Sequence, residues 1–222
     1  MSAYGYHCHT RRGSFGLLVR DLVPEPTDDD DRLILTAAHL LIGMGDGARV
    51  LSAPRGPEPG SDHGTFCGTI RRRVPLEHVA DIPVDAAVIK PPREVVCSNV
   101  LECGAPNGIC DLLVVDDDST VIDVQKHGAQ TGLTRGQLLP IVADHRMKDM
   151  AARYSYGWWV SGNNGVPFAD KGDSGSIVVD DAKRIVGMVV AIEHPATDPG
   201  THPAAFVHGI KQIFAALRIA LP

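Results

Sequence analysis

Aromatic residues are scarce in this sequence: Phe, Trp and Tyr make up 5% of its 222 residues. A core must therefore be built mainly from Val, Ile, Leu and Ala, and a hydrophobic fraction of 44% is enough for one. No segment approaches the 18 apolar residues of a membrane-spanning helix. Residues 1–13 also lack the apolar run of a signal peptide. These absences favour a cytoplasmic protein with one large domain or two small ones.

Positive charge is also in short supply. Lys and Arg number 21 against 27 Asp and Glu, which gives a net charge of −6 and a pI near 5.9. A nucleic-acid-binding surface would need a basic face. The densest basic run, Arg71–Arg73, is only three residues long, and we expect it to be a solvated strand end. Neither a nucleic-acid partner nor a membrane partner is predicted.

Cysteine occurs five times, at an odd count and with loose spacing: Cys8, Cys67, Cys97, Cys103 and Cys110. The pattern matches neither a disulfide framework nor the CxxC spacing of zinc sites. His7-Cys8-His9 offers possible metal ligands, but a frayed terminus is the favoured interpretation. We therefore expect reduced thiols, no bound metal and no organic cofactor.

Short apolar segments separated by Gly, Pro and Asp recur along the chain, and this pattern is typical of an all-β sandwich or barrel. Residues 185–192 are nearly all apolar, so they predict a central strand buried on both faces. A helical period occurs only near residue 210, where Ile210, Ile213, Phe214 and Leu217 share one face. A loop-rich stretch at 91–118 is the candidate linker between two halves, 1–105 and 106–222.

A tight turn with an exposed serine is predicted at Lys171-Gly172-Asp173-Ser174-Gly175-Ser176. A nucleophilic serine must stand on such a turn, with backbone N–H groups directed at the oxygen that becomes negative. Glycines at 172 and 175 allow the backbone to take this shape without a Cβ in the way. By itself, Gly-Asp-Ser-Gly is only a moderately specific signal.

A histidine and an aspartate also end or begin apolar strands. Leu35-Thr36-Ala37-Ala38-His39 places two small residues before an imidazole, which leaves room for close packing. Asp85 directly precedes the apolar segment 86–89, where a buried carboxylate can accept the far N–H of an imidazole. Asp81 is the competing candidate; it lies farther from the strand, with Pro83 between, so Asp85 is preferred.

Taken together, these three segments resemble the trypsin-like serine proteases, in particular the intracellular bacterial members. The order His39, Asp85, Ser174 separates this arrangement from the subtilisins and the α/β-hydrolases. Gly13–Asp21 resembles the opening strand of the family, and Lys126–Thr134 resembles the segment that opens its second barrel. The resemblance implies two packed six-stranded antiparallel β-barrels with a C-terminal helix, and a catalytic triad in the cleft between them.

The resemblance also implies roles for individual residues. Ser174 would be the nucleophile, His39 the general base and acid, and Asp85 the group that orients His39. The N–H groups of Gly172 and Ser174 would form the oxyanion hole. For the substrate, the implied residues are the edge strand Val190, Ala191 and Ile192 and the pocket floor Phe168, where no acidic group selects Lys or Arg.

Two features depart from the family's secreted members. Leu40 stands where those proteins have a disulfide-bonded cysteine, which fits a reducing compartment. Those proteins also order the serine loop through an N-terminus freed by cleavage, which pairs with the aspartate before the serine. No activation sequence precedes Ser14-Phe15-Gly16, so Asp173 needs another partner. Regulation by a partner protein or a fused domain is one hypothesis for how that need is met.

Three functions are compatible with these residues. An active endopeptidase that cleaves a protein or peptide is favoured, because all three triad residues are present. A protease-like binding or scaffold protein without activity is the main alternative. Decayed members of this kind usually lose the His or the Ser, and this chain has kept both. An esterase that uses the same residues is the third.

Overall fold

The computed structural model of the chain describes residues 4–6, 12–25, 29–52, 65–76, 81–95, 102–112, 121–139, 143–146, 153–193 and 204–222. The candidate ligands His7, Cys8 and His9 lie outside these ranges, as does Cys97. The predicted linker is described only at 91–95 and 102–112.

The first half of the chain folds into an antiparallel sheet of short strands. Its members are β1 (Tyr4–Tyr6), β2 (Arg12–Ser14), β3 (Leu17–Asp21), β4 (Arg32–Thr36), β5 (Arg49–Ser52), β6 (Thr65–Arg73), β8 (Ala87–Lys90) and the late strand β16 (Ile219–Ala220). They lie in the order β16-β3-β4-β8-β6-β5-β1-β2. A 3-10 turn, Ala38–Leu41, follows β4. The two-residue strand β7 (Asp81–Ile82) leaves this sheet and pairs with the second one.

The second half of the chain forms a closed barrel. Its strands are β9 (Ile122–Gly128), β10 (Gly132–Leu138), β11 (Ala143–Arg146), β12 (Arg153–Gly162), β13 (Ile177–Asp180), β14 (Ile185–Glu193) and β15 (Ala204–Gly209). The path β10-β9-β13-β14-β15-β12 closes because β12 also pairs with β10. Six antiparallel strands therefore surround the second core, and the predicted all-β fold class is confirmed.

The closing helix begins and ends where the apolar period predicted. It is α1 (Ile210–Leu217), and its buried residues are Ile210, Ile213, Phe214 and Leu217. After α1 the chain returns to the first sheet, where β16 pairs with β3. Within the described part of the chain, no helix has both the length and the apolar character that crossing a membrane requires.

The predicted central strand at 185–192 is also confirmed. It is β14, which lies between β13 and β15 and is buried on both faces over its first six residues. Part of the predicted linker packs against its start, since Cys110 N donates to the Ile185 carbonyl at 2.9 Å. The division of the chain at residues 105 and 106 stays a prediction.

The basic run at the end of β6 forms ion pairs and a hydrogen bond with other elements of the fold. Arg72 Nη2 lies 2.6 Å from Asp21 Oδ1, and its Nε donates to the Leu217 carbonyl at 3.1 Å. Arg71 Nε lies 3.6 Å from the same carboxylate. The expectation of a merely solvated strand end was wrong, because these guanidinium groups connect β3, β6 and the end of α1.

The apolar core is continuous between the two sheets. The larger cluster of buried residues contains Leu33, Leu35 and Ile89 from the first sheet together with Tyr154 and Phe206 from the second. A smaller cluster fills the interior of the second barrel. The two sheets are therefore fixed against each other by shared packing, which is what a site between them requires.

Candidate active site between the two sheets

His39 lies at the start of the 3-10 turn that follows β4. The residues before it, Ala37 and Ala38, are wholly buried, and the imidazole keeps 19% of its surface exposed. A larger side chain at either alanine would displace the turn from the core. The local sequence therefore presents the imidazole at the edge of the core, where one ring nitrogen faces inward.

Asp85 is the inward partner of His39. Its Oδ2 lies 2.6 Å from His39 Nδ1, and its Oδ1 accepts the His39 backbone N–H at 2.9 Å. The carboxylate is fully buried. Burial alone would raise the pKa of Asp85, but the nearby His39 and the hydrogen bonds it accepts hold that pKa below its usual range. The competing candidate Asp81 instead pairs with Arg153 at 3.0 Å.

Two residues of the second barrel contact Asp85, and neither was predicted from the sequence. The Tyr154 hydroxyl on β12 donates to Asp85 Oδ2. His208 Nδ1 on β15 accepts the Asp85 backbone N–H at 2.9 Å. They lie 69 and 123 residues away from Asp85 along the chain. No local motif marks them, so only the fold shows that they meet.

His208 is buried as a neutral imidazole. Burial lowers its pKa to about 4, an effect that the charge of Asp85 partly opposes. Since Nδ1 accepts a hydrogen bond, the ring carries its proton on Nε2, which contacts no hydrogen-bond partner among the described residues. Protonation of Nδ1 would put two donors face to face at Asp85.

We therefore expect acid to destabilise the protein through His208. The unfolded chain binds a proton at this residue below about pH 6.5, whereas the folded chain does so only near pH 4. The free energy of unfolding should fall as pH drops between these values, by roughly 3 kcal/mol. Urea unfolding of wild type and His208→Asn across this range measures it. The variant keeps an acceptor but cannot be protonated, so its decline should be shallower; parallel curves would contradict the assignment.

The loop that carries Ser174 is fastened to the first sheet. The backbone N–H of Ser14 donates to the Ser174 carbonyl at 2.7 Å, and the Ser14 hydroxyl donates to the Gly172 carbonyl at 3.1 Å. Thr36 Oγ1, on the strand that leads to His39, donates to the Ser14 carbonyl at 2.9 Å. A Cβ on Gly175 would stand 2.1 Å from that carbonyl and 2.9 Å from Thr36 Oγ1. The serine loop thus lies directly against the strand that delivers the histidine.

The predicted oxyanion donors, Gly172 and Ser174, lie in a turn whose backbone conformation depends on glycine. Gly172 has φ +111°, which favours glycine, and Gly175 has φ +95°. Within the described ranges, the N–H groups of Gly172 and Ser174 donate to no protein acceptor, whereas the N–H groups of Asp173 and Gly175 donate to Asp170 and Val189 carbonyls. The turn leaves unused the two donors that would face a developing negative charge.

Asp173 pairs with Lys126, a residue of β9. Its Oδ2 lies 3.2 Å from Lys126 Nζ, and both side chains are fully buried. The carboxylate also accepts hydrogen bonds from the backbone N–H groups of Gln130, Thr131 and Asp170 at 2.8, 3.2 and 3.0 Å. Burial would raise the pKa of Asp173, but Lys126 and these donors hold it below its usual range.

Lys126 thus supplies from within the chain the cation that the sequence resemblance led us to seek for Asp173. The Thr131 hydroxyl donates to Asp173 Oδ2 at 2.7 Å, and Lys126 Nζ donates to the Gly132 carbonyl at 3.3 Å. Lys126 belongs to the segment already singled out in the sequence. Its role was missed because a lysine inside a strand usually faces solvent. The pair meets the need of Asp173 for a cation, and regulation by a partner protein or a fused domain stays a hypothesis.

The predicted substrate residues lie on two neighbouring parts of the second barrel. Val190 is buried, while Ala191 and Ile192 are partly exposed. They pair with β15 on one side, as Ala191 with Phe206 and Ile192 with Ala205. On their other side, the pairing of β14 with β13 reaches only to Met188 in the described ranges. Phe168 is fully buried in the second core, where Ile192 also packs.

Solved structures give the fold its class. The chain is similar to Thermobifida fusca protease A, with 16% identity and a TM-score of 0.64, covering 100% of this chain and 97% of that one. It is similar to Nocardiopsis protease, with 15% identity, a TM-score of 0.65 and the same coverages. It is also similar to Cellulomonas bogoriensis chymotrypsin, with 14% identity, a TM-score of 0.61 and coverages of 100% and 96%.

At these identities the likeness establishes the fold: the chain has the chymotrypsin fold that the resemblance implied. No protein-family model and no curated protein sequence matches it. The activity must therefore be argued from the chain's own residues.

Proposed function

We propose that this protein is a serine endopeptidase that acts through His39, Asp85 and Ser174. One observation carries the proposal: a buried carboxylate holds the inner nitrogen of His39 at 2.6 Å, in a fold where the serine loop packs on the histidine's own strand. Similarity to solved proteases supports it. A scaffold protein without activity would have no need for a buried carboxylate that is hydrogen-bonded to a partly exposed imidazole.

The mechanism follows the chemistry of such a triad. Ser174 Oγ attacks the scissile carbonyl carbon while His39 Nε2 takes its proton, and the N–H groups of Gly172 and Ser174 bind the resulting oxyanion. His39 then gives the proton to the leaving amine, and the C–N bond breaks to leave an acyl-enzyme. A water molecule, deprotonated by His39, releases the second product. Asp85 stays ionised throughout and stabilises the imidazolium.

The substrate would bind as an added strand along Val190, Ala191 and Ile192. On the side of β14 away from β15, Val189 bonds the Gly175 N–H and the Ser176 carbonyl, and no pairing is described beyond it, so the backbone of residues 190–192 on that side is available for an extended peptide. Main-chain hydrogen bonds of this kind give affinity with little sequence preference. Such a surface suits an endopeptidase better than an esterase, whose substrates lack the amide N–H groups.

The side chain before the scissile bond would enter a shallow apolar pocket. Ile192 packs against the buried cluster that contains Phe168 and Ala205, so we expect little space above the pocket floor. Such a pocket suits a small apolar side chain, such as that of alanine or valine, rather than an aromatic or charged one.

Widening this pocket should change specificity. We expect Ile192→Gly to raise kcat/KM for a peptide with Phe before the scissile bond by roughly tenfold or more, relative to the Ala peptide. Ile122→Gly is the matched control, since Ile122 also packs partly buried on the second core but on β9. The ratio of the two kcat/KM values measures the effect. An unchanged ratio, or the same change in the control, would place the pocket elsewhere.

The deciding experiment is covalent labelling of the unprocessed protein. Because Lys126 already neutralises Asp173, the purified chain should react with a peptide phosphonate and hydrolyse a peptide with no cleavage and no added partner. Mass spectrometry should place the adduct on Ser174. An adduct on another residue would remove the assignment of the nucleophile, and no reaction at all would favour the scaffold alternative.

A reducing compartment, and by extension the cytoplasm, is part of the proposal. Cys103 and Cys110 are buried free thiols, and Cys67 is buried as well. Burial raises the pKa of the Cys103 and Cys110 thiols, which keeps them protonated and slow to oxidise. Thiol counting on the denatured protein purified without reductant would test this.

A further inference from the structure

Asp85 is held from both halves of the fold. Two of the four hydrogen bonds that the structure gives Asp85 come from His39, at Nδ1 and at the backbone N–H. The other two come from the second barrel: the Tyr154 hydroxyl donates to Oδ2, and His208 Nδ1 accepts the Asp85 N–H. The aspartate that orients the general base is itself oriented across the junction between the sheets.

The backbone around Asp85 is fastened at the same place. Strand β7 runs parallel to β12, with Asp81 opposite Arg153 and Ile82 opposite Tyr154. Arg153 Nη2 lies 3.0 Å from Asp81 Oδ1. Ile82, the residue opposite Tyr154, precedes Asp85 by three residues, so Tyr154 lies beside the segment that leads into Asp85. Backbone pairing between β7 and β12 therefore fixes the position of Tyr154 relative to this segment.

The Tyr154 ring is also fixed on its own side. It stacks on Phe206 with an interplanar angle of 9° and a centroid distance of 6.1 Å, and it meets the His208 ring edge-on at 5.1 Å. The residue is fully buried. Burial and the charge of Asp85 raise the pKa of its hydroxyl far above the ordinary value, so it remains a donor.

Oδ2 of Asp85 therefore serves two donors, the Tyr154 hydroxyl and His39 Nδ1–H. A hydrogen bond to a carboxylate draws negative charge toward the donor and holds the group in one orientation. The first effect lowers the stabilisation that Asp85 can give to a protonated His39. The second keeps the imidazole in the tautomer whose Nε2 is free to take a proton.

We propose that Tyr154 is a positioning residue for the Asp85–His39 pair: its hydroxyl fixes the Asp85 carboxylate in the orientation that holds the imidazole of His39. The proposal rests on the peptidase function proposed above. Tyr154 acts through Asp85 and contacts no reacting atom. Through this hydroxyl, a residue of the second barrel helps to fix the orientation of His39 in the first sheet.

Tyr154→Phe removes the hydroxyl and keeps the ring contacts. We expect kcat/KM to fall roughly tenfold with KM unchanged, because orientation is lost while the substrate surface is intact. We expect the acid limb of the kcat/KM–pH profile to move to higher pH by up to roughly one unit, because Asp85 then interacts more strongly with protonated His39. A purely structural role would lower activity without moving the acid limb. Tyr156→Phe is the matched control, since Tyr156 lies two residues along β12 and is 60% exposed.

Two other histidines lie near the Asp85–His39 pair, so the acid limb of the pH profile must be assigned to one residue. His208 on β15 and His145 on β11 both lie against the Tyr154 ring, at centroid distances of 5.1 and 6.3 Å. The acid limb should therefore be assigned to His39 directly, by an NMR titration of its ring carbon and of the Nδ1 proton shared with Asp85. A shift confined to His208 or His145 would contradict the proposal.

The NMR measurement also separates this proposal from the peptidase function. If the protein hydrolyses no peptide but the NMR signal of the Nδ1 proton shared with Asp85 moves in Tyr154→Phe, the positioning role stands and the function fails. If the protein is an active peptidase and neither the acid limb nor the Nδ1 proton moves, the positioning role fails.

A graded variant gives the opposite sign and does not depend on the folding of Tyr154→Phe. Substituting 3-fluorotyrosine at position 154 makes the hydroxyl more acidic and hence a stronger donor to Asp85 Oδ2. The acid limb of the kcat/KM–pH profile should then lie at slightly lower pH than in the wild type. An acid limb at higher pH, or no difference, would overturn the proposal.

Discussion

Replacing Ser174 by alanine is expected to lower kcat for peptide hydrolysis on the order of 10⁵-fold or more. The hydroxyl is the only group in the proposed mechanism that forms a bond to the substrate, and in such triads loss of the nucleophile removes most of the acceleration. Residual hydrolysis should come from the oxyanion donors and from binding alone. Progress curves at saturating peptide measure the ratio of the two kcat values, with the wild-type protein diluted until its rate matches that of the variant.

Non-additivity distinguishes this result from damage to the loop. His39→Ala in the Ser174→Ala background should cost little more, because both residues serve the same step. Ser161→Ala, an exposed serine on β12, should leave kcat unchanged. If Ser174→Ala kept more than a hundredth of the activity, the nucleophile would have to be another residue.

Replacing Lys126 by methionine is expected to cost about 3–5 kcal/mol of unfolding free energy, because Asp173 would then be a buried charge without its cation. Methionine keeps the length and apolar character of the lysine stem. The serine loop should lose its fixed shape, so the oxyanion donors move and kcat/KM falls by roughly 100-fold or more. Urea unfolding and peptide hydrolysis measure the two effects.

A double variant tests whether Lys126 and Asp173 affect stability through each other. Lys126→Met combined with Asp173→Asn removes the lone charge and should recover part of the lost stability without restoring full activity. Lys171→Met is the control for stability, since this exposed lysine in the same loop should change it by no more than about 0.5 kcal/mol. If the single Lys126 variant were as stable as wild type, the idea that an internal cation replaces a freed N-terminus would be lost.

The elements best predicted from sequence are those whose signal is local. The helix at residue 210 follows from four apolar residues at helical spacing, and β14 follows from an uninterrupted apolar run. The loop around Ser174 and the turn at His39 are readable because small residues and glycines are required near them. In each case the chemistry that decides the structure lies within a few residues.

The support of the site could not be predicted, because it depends on contacts between distant segments. Lys126, Tyr154 and His208 reach Asp173 and Asp85 from strands of the second barrel, and nothing in their neighbours marks them. Ser14 looked like part of an opening strand, yet its hydroxyl and backbone fasten the serine loop. Buried polar side chains are recognisable only when their partners are known.

Strand β16 has a consequence for the order in which this protein is made. It joins the first sheet beside β3, although more than 190 residues separate the two strands along the chain. During synthesis, the edge of β3 therefore stays uncovered until residues 219–220 have been made and can reach it. The first sheet is completed by a segment that follows the whole second barrel in the chain, so the two halves finish folding together rather than one after the other.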